Sequence, residues 1–296
     1  PRLLSSAASD VYKRQVLIML GISISLSAQK NGDSLTIASW NIQMLPKVYQ
    51  PFTKLTRKKQ SIRAPKIIQY LNAAEFDLIV LQEVFDRSIQ KEIAKGLIVN
   101  YPYQQMPIKE GFTWKLSSGV MILSKHPIKF LKNVIFNTSK KSDKAAQKSC
   151  VLVQVEIGSK TLLLGGTHLD SKSQESRYLQ YEMTKSEILN PYLNDSIPLY
   201  LAGDFNTSNN HEDYKKMTYE FGLTSFSLDD DRPYTYDEYN TWNESGVRSW
   251  IDFIFYNENP YHQPFKQYIL RPTLSFKGSK MDMADHYQIV LETVIY

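Results

Sequence analysis

The hydrophobic pattern beyond residue 33 alternates between short apolar runs and longer stretches with helical spacing. Helical spacing predicts helices over residues 58–74, 88–97, 173–189 and 212–221. Short apolar runs predict strands over residues 35–40, 77–81, 119–123, 151–157, 161–166, 198–202, 251–256 and 287–295. Gly158 and Ser159 between two of these strands predict a hairpin turn. Pro65 is an alternative start for the first helix, because proline is favoured in a first helical turn.

This order of elements predicts an α/β fold. Hairpins mixed with helical crossovers favour two packed sheets flanked by helices. No linker rich in Gly, Ser or Pro interrupts the pattern, and no repeat is visible. We therefore expect a single domain over residues 33–296.

The N-terminal segment has a different pattern. Lys13 and Arg14 precede an apolar run over residues 16–26, and Ser27 and Ala28 follow. This order is typical of a secretory signal peptide, and cleavage after Ser27 fits best. It predicts removal of residues 1–28 and a secreted or periplasmic protein; a buried first strand is the alternative. Residues 1–12 show no pattern, and we interpret them as a sequence artefact.

The net charge and the cysteine content place modest constraints on the function of the protein. The formal net charge of +5 is compatible with an anionic substrate or surface without requiring either. Cys150 is the only cysteine, so no intramolecular disulfide is expected. Apolar neighbours place it in a predicted strand, which favours a buried thiol over a nucleophile.

Polar side chains recur where predicted strands begin or end. They are Asn41, Glu83, His168, Asp204, Asn206, Asp252, Asp285 and His286. Layered α/β folds bind ligands beyond the strand ends, so these side chains are expected to form one site. Carboxylate and amide oxygens favour Mg²⁺, Mn²⁺ or Ca²⁺ over zinc.

The chemistry of such a site can be narrowed further. The sequence contains neither a P-loop nor a nucleophile elbow, so it indicates neither an NTPase nor a serine hydrolase. A divalent ion beside histidines suits attack of water on phosphorus. The sequence therefore predicts hydrolysis of a phosphate ester.

A family resemblance rests on ordered segments of the chain. They are SWNIQ, LQEVFD, GTHLDS, GDFN, WIDFIFY and ADHYQIV. In this order they resemble the endonuclease/exonuclease/phosphatase superfamily, over roughly residues 35–296. The resemblance implies a DNase-I-like, four-layer α/β/β/α sandwich with the active site at one end.

The resemblance also implies a metal site. Asn41 and Glu83 match the positions of ligands, and Asp285 matches a residue that completes or supports the shell of the ion. The implied ion is Mg²⁺, with Mn²⁺ or Ca²⁺ as alternatives.

Catalytic roles follow from the same resemblance. Asp204 and Asn206 match the pair that orients the attacking water and holds the phosphate. His286 matches the general base, and Asp252 matches the carboxylate that fixes its tautomer. His168 matches a donor to the phosphoryl oxygens.

Within the superfamily the chain is most similar to bacterial neutral sphingomyelinases. The similarity rests on residues 119–128, 166–169 and 234–240. It places Asp143 near the leaving group; a surface residue in a lysine-rich loop is the alternative. Between Asp252 and Asp285 the sequence shows no obvious hairpin tipped with paired aromatics, the feature with which those enzymes are thought to contact membranes. Tyr261, Phe265 and Tyr268 are possible substitutes for a transient membrane-surface contact.

These observations favour a secreted, sphingomyelinase-like phospholipase C acting on a phospholipid or another phosphodiester. The alternatives are an extracellular nuclease on DNA or RNA and a phosphatase of the same superfamily. A nuclease needs a basic face, for which Arg57, Lys58, Lys59 and the loop 140–148 are candidates. A non-catalytic binding module is disfavoured because all the expected polar residues are present. No obligate protein partner is indicated.

Overall fold

The computed structural model describes residues 32–46, 54–194, 196–243 and 245–296. The predicted signal peptide therefore lies outside the described residues, as do the side chains of Arg57, Lys58 and Lys59. Ser34–Ile295 form one compact unit. Within the described ranges, no helix has the length and apolar character needed to cross a bilayer.

Fourteen strands are present in the described part of the chain. In chain order they are β1 (Asp33–Met44), β2 (Leu78–Val84), β3 (Tyr103–Gln105), β4 (Met121–Ser124), β5 (Ile128–Ile135), β6 (Ser149–Ile157), β7 (Lys160–His168), β8 (Leu199–Asp204), β9 (Thr224–Ser225), β10 (Asp252–Tyr256), β11 (His262–Leu270), β12 (Thr273–Phe276), β13 (Ser279–Asp282) and β14 (Gln288–Ile295).

These strands form two mixed sheets and a small hairpin. The first sheet has the order β11-β14-β1-β2-β4-β3, and the second has the order β5-β6-β7-β8-β10-β9. Each sheet has one central parallel pair, β1 with β2 and β7 with β8. The strands β12 and β13 pair with each other as a separate hairpin.

Helices cover the outer faces of the sheets. They are α1 (Lys54–Ala74), α2 (Arg87–Leu97), α3 (Gln174–Thr184) and α4 (Glu212–Phe221). The π-helical segment Lys185–Leu189 and the short turn Asn190–Tyr192 extend α3. A 3₁₀ turn covers Lys141–Ala145.

Three buried hydrophobic clusters fill the spaces between the layers. The central cluster joins the facing sides of the two sheets and includes Ile37, Val80 and Tyr200. A second packs the first sheet against α1 and α2, and a third packs the second sheet against α3 and α4. Alternate residues of one strand serve two clusters, as side chains of a strand point to opposite faces in turn. The predicted four-layer α/β/β/α sandwich is thus confirmed.

Some elements differ from the prediction. Pro65 lies inside α1 rather than at its start. The strands β5 and β11 were not predicted, because exposed lysines and a register shift break their apolar alternation. The hairpin at Gly158 agrees with the prediction, and α3 is capped by the Ser173 side chain, which accepts from the backbone N–H of Ser176.

Candidate active site

The polar strand ends meet at one edge of the sandwich. The parallel pairs β1/β2 and β7/β8 place their carboxyl ends there, as parallel strands must. His168 lies opposite Asp204 in the register of β7 and β8, and Asp204 lies opposite Asp252 at the start of β10. The predicted convergence of these side chains is therefore present in the structure.

His286 and Asp252 form a buried dyad. His286 Nδ1 lies 2.8 Å from Asp252 Oδ2. A carboxylate only accepts hydrogen bonds, so the proton is on Nδ1 and Nε2 is directed elsewhere. Trp40 Nε1 donates to the backbone oxygen of His286 at 2.9 Å, which fixes the main chain at this point. The dyad holds the imidazole in one orientation.

Asp204 is the centre of the polar cluster. Its Oδ2 lies 3.8 Å from His286 Nε2 and 3.6 Å from His168 Nε2. Asn41 Nδ2 donates to the same oxygen at 3.0 Å, and the backbone N–H of Asn206 donates to Oδ1 at 2.9 Å. Asn206 Nδ2 is held by the carbonyl oxygen of Leu169 at 3.1 Å.

These carboxylates and the imidazole shift each other's proton affinity. Burial raises the pKa of Asp204 to about 6, and the neighbouring Asp252 adds to the rise. Burial alone disfavours charge on His286, but the carboxylates of Asp252 and Asp204 outweigh that effect. The pKa of His286 is therefore raised well above its usual value.

Asp204, Asp252 and His286 also satisfy a purely geometric test for a metal site, since each offers a ligand atom within 4.8 Å of the others. Asp252 Oδ2 and His286 Nδ1, however, already form a hydrogen bond with each other. We therefore interpret this trio as a proton-transfer group.

Glu83 and Asp285 form the part of the site that fits a cation. Burial and, to a smaller extent, the Asp285 carboxylate together raise the pKa of Glu83 to about 7. Burial also raises the pKa of Asp285, against the opposing charges of His286 and Arg63. Asp285 Oδ1 is buried without a hydrogen-bond partner among the described residues. A divalent cation beside two such carboxylates would relieve both penalties, and hard oxygen donors suit Mg²⁺.

Asn41 lies beside the same carboxylates. Its Nδ2 donates to Glu83 Oε1 at 3.2 Å, and its Oδ1 accepts from the backbone N–H of Gln43 at 3.1 Å. The amide nitrogen therefore faces the carboxylates, whereas a metal ligand would present the oxygen. Its role as a ligand stays a prediction.

The backbone is strained around the site. Gln43, Glu83 and Asn206 have φ values of 49°, 58° and 49°, in the left-handed region that favours glycine. The register of β1 and β2 shifts between Asn41 and Met44, next to the first two of these residues. Such strain is concentrated at functional sites, where it directs side chains that regular strands would not.

Lys148 is a buried member of the site that the sequence analysis missed. It was grouped with exposed lysines of the loop 140–148, but its side chain is only 4% exposed. Its Nζ lies 2.9 Å from Asp143 Oδ2 and 3.0 Å from His168 Nε2. Nζ also donates to the carbonyl oxygen of Leu169 at 2.6 Å. Lys148 therefore cannot contribute to a solvated basic face, because its ammonium is used inside the site.

Asp143 is fixed in place through Lys148 and Ser171. Ser171 N donates to Asp143 Oδ2 at 2.6 Å, and Ser171 Oγ donates to Oδ1 at 3.2 Å. Burial raises the pKa of Asp143, but Lys148 and Ser171 outweigh burial, so the pKa is lowered overall. The structure thus places Asp143 at the site rather than on an unconnected surface loop; its role near the leaving group stays a prediction.

His168 is neutral in this arrangement. Burial lowers its pKa well below the usual value, and the charges of Lys148 and His286 lower it further. An ammonium only donates, so His168 Nε2 accepts from Lys148. The described residues offer no partner to His168 Nδ1. His168 Nε2 is therefore not a donor here, and donation by His168 to a phosphoryl oxygen stays a prediction.

Arg63 is a second residue that the sequence analysis missed. It is fully buried and donates to the carbonyl oxygens of Ile42, Gln43 and Met283 at 2.9, 2.7 and 2.8 Å. It ties the end of β1 to the segment before β14, which carries Asp285. A charged residue in the apolar stripe of α1, beside Ala64, was the available sequence signal.

A cavity of about 520 Å³ opens onto the site. Glu83, Asp143, Lys148 and His168 line its polar side. Its other wall is mainly apolar and consists of Leu45, Pro46, Phe85, Trp114, Leu116, Ala145 and Ala146. The cavity can therefore hold a ligand that has both an anionic group and an apolar part.

Comparison with known proteins agrees with this geometry. The model of the Endonuclease/Exonuclease/phosphatase family matches residues 38–270. Sphingomyelinase C 2 of Leptospira interrogans is 26% identical over 292 residues, which cover 86% of this chain and 45% of that protein. Phospholipase C of Staphylococcus aureus is 25% identical over 274 residues, covering 83% and 80% of the two chains. The chain thus spans less than half of the first relative and most of the second.

A solved structure shows the same fold. It is a mutant of beta toxin from Staphylococcus aureus with bound magnesium ions. It superposes with a TM-score of 0.73 at 20% identity, covering 88% of this chain and 99% of that one. At this identity, the likeness establishes the architecture.

Proposed function

Because the chain belongs to the endonuclease/exonuclease/phosphatase family, we propose that it is a Mg²⁺-dependent phosphodiesterase of the phospholipase C type. The observation that carries the proposal is the Asp252–His286 dyad, whose Nε2 lies 3.8 Å from Asp204 Oδ2. The oxygen donors of Glu83 and Asp285 belong to the same site. A base beside a cation site is what hydrolysis of a phosphodiester by water requires.

The residues present fit a hard divalent ion. Glu83 and Asp285 would hold it through their carboxylates, and Asn41 would do so through its amide oxygen after rotation of the amide. We infer Mg²⁺ from this donor set, with Mn²⁺ or Ca²⁺ as alternatives. When bound, the ion supplies positive charge that stabilises the phosphoryl oxygens.

The protein's own side chains carry the proton transfers. His286 Nε2 accepts the proton of the attacking water, and Asp252 stabilises the resulting imidazolium. Asp204 and Asn206 orient the water, which forms the new bond to phosphorus as the ester bond to the leaving group breaks. Lys148 is placed to supply positive charge beside the oxygens whose negative charge grows, and Asp143 holds its ammonium in position.

We infer a phospholipid as the substrate. The relatives named above are a sphingomyelinase and a phospholipase C, and the cavity joins polar groups of the site to an apolar wall. A lipid that bears a phosphate diester beside acyl chains presents that same combination of groups. Sphingomyelin and phosphatidylcholine are the first substrates to test.

A substrate panel tests the proposal. Purified protein is assayed at constant Mg²⁺ and salt on micellar sphingomyelin, micellar phosphatidylcholine, supercoiled plasmid and a phosphomonoester. We expect the wild type to release phosphocholine from micelles at a rate well above plasmid nicking. We expect no phosphocholine release by His286→Ala in this assay. Rapid plasmid degradation without phospholipid cleavage would replace our proposal with the nuclease function, and cleavage of the monoester alone would indicate a phosphatase.

Export is a separate inference from the leader pattern. Lys13, Arg14 and the apolar run over residues 16–26 support secretion or periplasmic location. N-terminal sequencing of the protein from its native host should find a start near Gln29. An intact leader on cytoplasmic protein would contradict this inference.

A further inference from the structure

The loop between β3 and β4 presents two exposed aromatic side chains. Phe112 is fully exposed, and Trp114 is 73% exposed. Leaving such large apolar areas in water is unfavourable, by about 25 cal/mol per Å². Two of them on one loop tip therefore favour a partner with an apolar interior.

The base of this loop is held firmly. Glu110 N donates to Gln147 Oε1 at 2.9 Å, and Gln147 Nε2 donates back to Glu110 O at 2.7 Å. On the other side, Leu116 N donates to Ala145 O at 2.8 Å. These hydrogen bonds hold both ends of the loop, so that its tip is directed outward.

The loop lies at the site end of the sandwich. The strand β4 begins beside the end of β2, where Met121 pairs with Leu81. Trp114 itself lines the cavity that contains Glu83, Lys148 and His168. The aromatic tip therefore borders the entrance through which a substrate would reach the site.

Basic side chains lie beside Trp114. Lys109, Lys115 and Arg87 line the adjoining cavity of about 500 Å³, which Trp114 also borders, and the carboxylate of Asp86 in the same lining accepts from the backbone at the start of α2. The acidic residue of the loop, Glu110, accepts from Asn133 Nδ2 at 2.9 Å. Aromatic residues flanked by lysines match the interface of a phospholipid bilayer, where rings lie among the head groups and ammonium groups meet phosphates.

Two other exposed aromatics, at the positions first considered for membrane contact, lie elsewhere. Tyr261 and Phe265 are at the start of β11, where His262 pairs with Ile295. That is the far end of β14, whose 8 residues extend away from the site by roughly 25 Å. The β12–β13 hairpin carries Lys277 and Gly278 at its tip, and Phe276 packs against a core cluster. Neither segment presents aromatic side chains at the entrance of the cavity.

We propose that residues 111–115 insert into the surface of a phospholipid bilayer. Phe112 and Trp114 enter the interface, Lys109 and Lys115 contact lipid phosphates, and the cavity then opens directly onto the membrane. This inference rests on the proposed lipid substrate, because it describes how that substrate reaches the site. Residues 111–115, rather than Tyr261, Phe265 and Tyr268, thus form the membrane contact.

Vesicle binding tests the insertion without catalysis. The protein is co-sedimented in EDTA with vesicles of phosphatidylcholine containing sphingomyelin. Phe112→Ala should lower partitioning about tenfold, since removing about 1.4 kcal/mol of apolar burial has that effect. Tyr219→Ala, which removes an aromatic ring that is 82% exposed on α4, should bind as the wild type does. Equal binding by wild type and Phe112→Ala, or no binding by either, would overturn the proposal.

Fluorescence locates the contact. Vesicles should shift the tryptophan emission of the wild type to shorter wavelength, and Trp114→Phe should abolish the shift, because Trp114 is exposed whereas Trp40 is buried. A shift that persists in Trp114→Phe would place the contact elsewhere and overturn the assignment.

Activity assays separate this inference from the proposed function. Phe112→Ala should cleave sphingomyelin in detergent micelles like the wild type but cleave it in vesicles about tenfold more slowly. Phe112-dependent vesicle binding without cleavage of any phospholipid would leave the insertion standing and refute the proposed function. Cleavage of vesicle lipid at equal rates by both proteins would refute the insertion and leave the function standing.

Discussion

At the scale of single residues, the imidazole of His286 combines a fixed orientation with a high proton affinity. Asp252 contacts Nδ1, and both Asp252 and Asp204 favour the protonated ring. Only the neutral ring can accept a proton from water, and the two carboxylates then stabilise the imidazolium that forms. These carboxylates lie on neighbouring strands, β8 and β10.

His286→Ala should lower kcat by about 10²–10⁴-fold, because the general base is lost. Asp252→Asn should also lower kcat, since an amide cannot stabilise the imidazolium. Steady-state kinetics on a soluble phosphodiester, with thermal melts as a check on folding, measure both effects. Near-wild-type kcat in either variant, with an unchanged melting curve, would remove that residue from the mechanism.

Lys148 provides the second test at this scale. Lys148→Met should lower kcat by about 10²-fold or more, because a positioned positive charge beside the developing negative charge is lost. Lys132→Met removes an exposed lysine that pairs with Glu187 and serves as the control. The same kcat for Lys148→Met as for Lys132→Met would show that the buried ammonium serves only packing.

At the scale of elements, the contact of β7 with β8 fixes the spacing of the site. A Cβ on Gly203 would lie 2.1 Å from the carbonyl oxygen of Thr167. Only glycine therefore allows these strands to approach as closely as they do. His168 and Asp204 are the next residues along the two strands, so this approach sets the distance between them.

Gly203→Ala should destabilise the fold by about 1–3 kcal/mol, because the clash is with backbone and the strands must separate. Urea or thermal unfolding measures the loss, and kcat should fall with it. Gly158→Asn is the matched control, since its turn has φ of 59°, which asparagine tolerates, and open space around the Cβ. If Gly203→Ala were as stable and active as the control, the strand contact would not set the site.

At the scale of the whole molecule, stability and metal binding are linked through Glu83. The pKa of this group is 4.5 when unperturbed and about 7 in the folded protein. The folded state thus binds the proton more tightly than the unfolded state does. The stability that this group contributes is fully present below pH about 4.5 and is lost as the pH rises through about 7.

We expect the melting temperature of the metal-free protein to fall more steeply with rising pH across this window than that of Glu83→Gln. Mg²⁺ should reverse the fall in the wild type, because an ion that binds only the folded state stabilises it. Differential scanning calorimetry with EDTA or Mg²⁺ measures both effects, and titrations of groups that do not interact with Glu83 cancel between the two proteins. Identical pH profiles for both, with no response to Mg²⁺, would contradict a cation site at Glu83.

Much of the architecture could be predicted from the sequence, because strand and helix periodicities follow directly from side-chain direction. The polar residues that interrupt apolar strands, such as Glu83, Asp204 and Asp252, also stood out locally. Each sits where a core would exclude it, so its position alone indicated a site. The order of these segments further predicted the family, and the family match confirms it.

Only the tertiary structure decided which charged residues join the site. Lys148 resembles a surface residue in the sequence, because nothing local distinguishes its buried ammonium from a solvated one, and the apolar stripe around Arg63 indicates burial without naming the partners of its guanidinium. Their partners are distant in the chain: Lys148 meets His168, and Arg63 meets the carbonyl oxygen of Met283, 220 positions away. Burial and pairing of charge are properties of the assembled layers, and so they could be determined only once those layers were packed together.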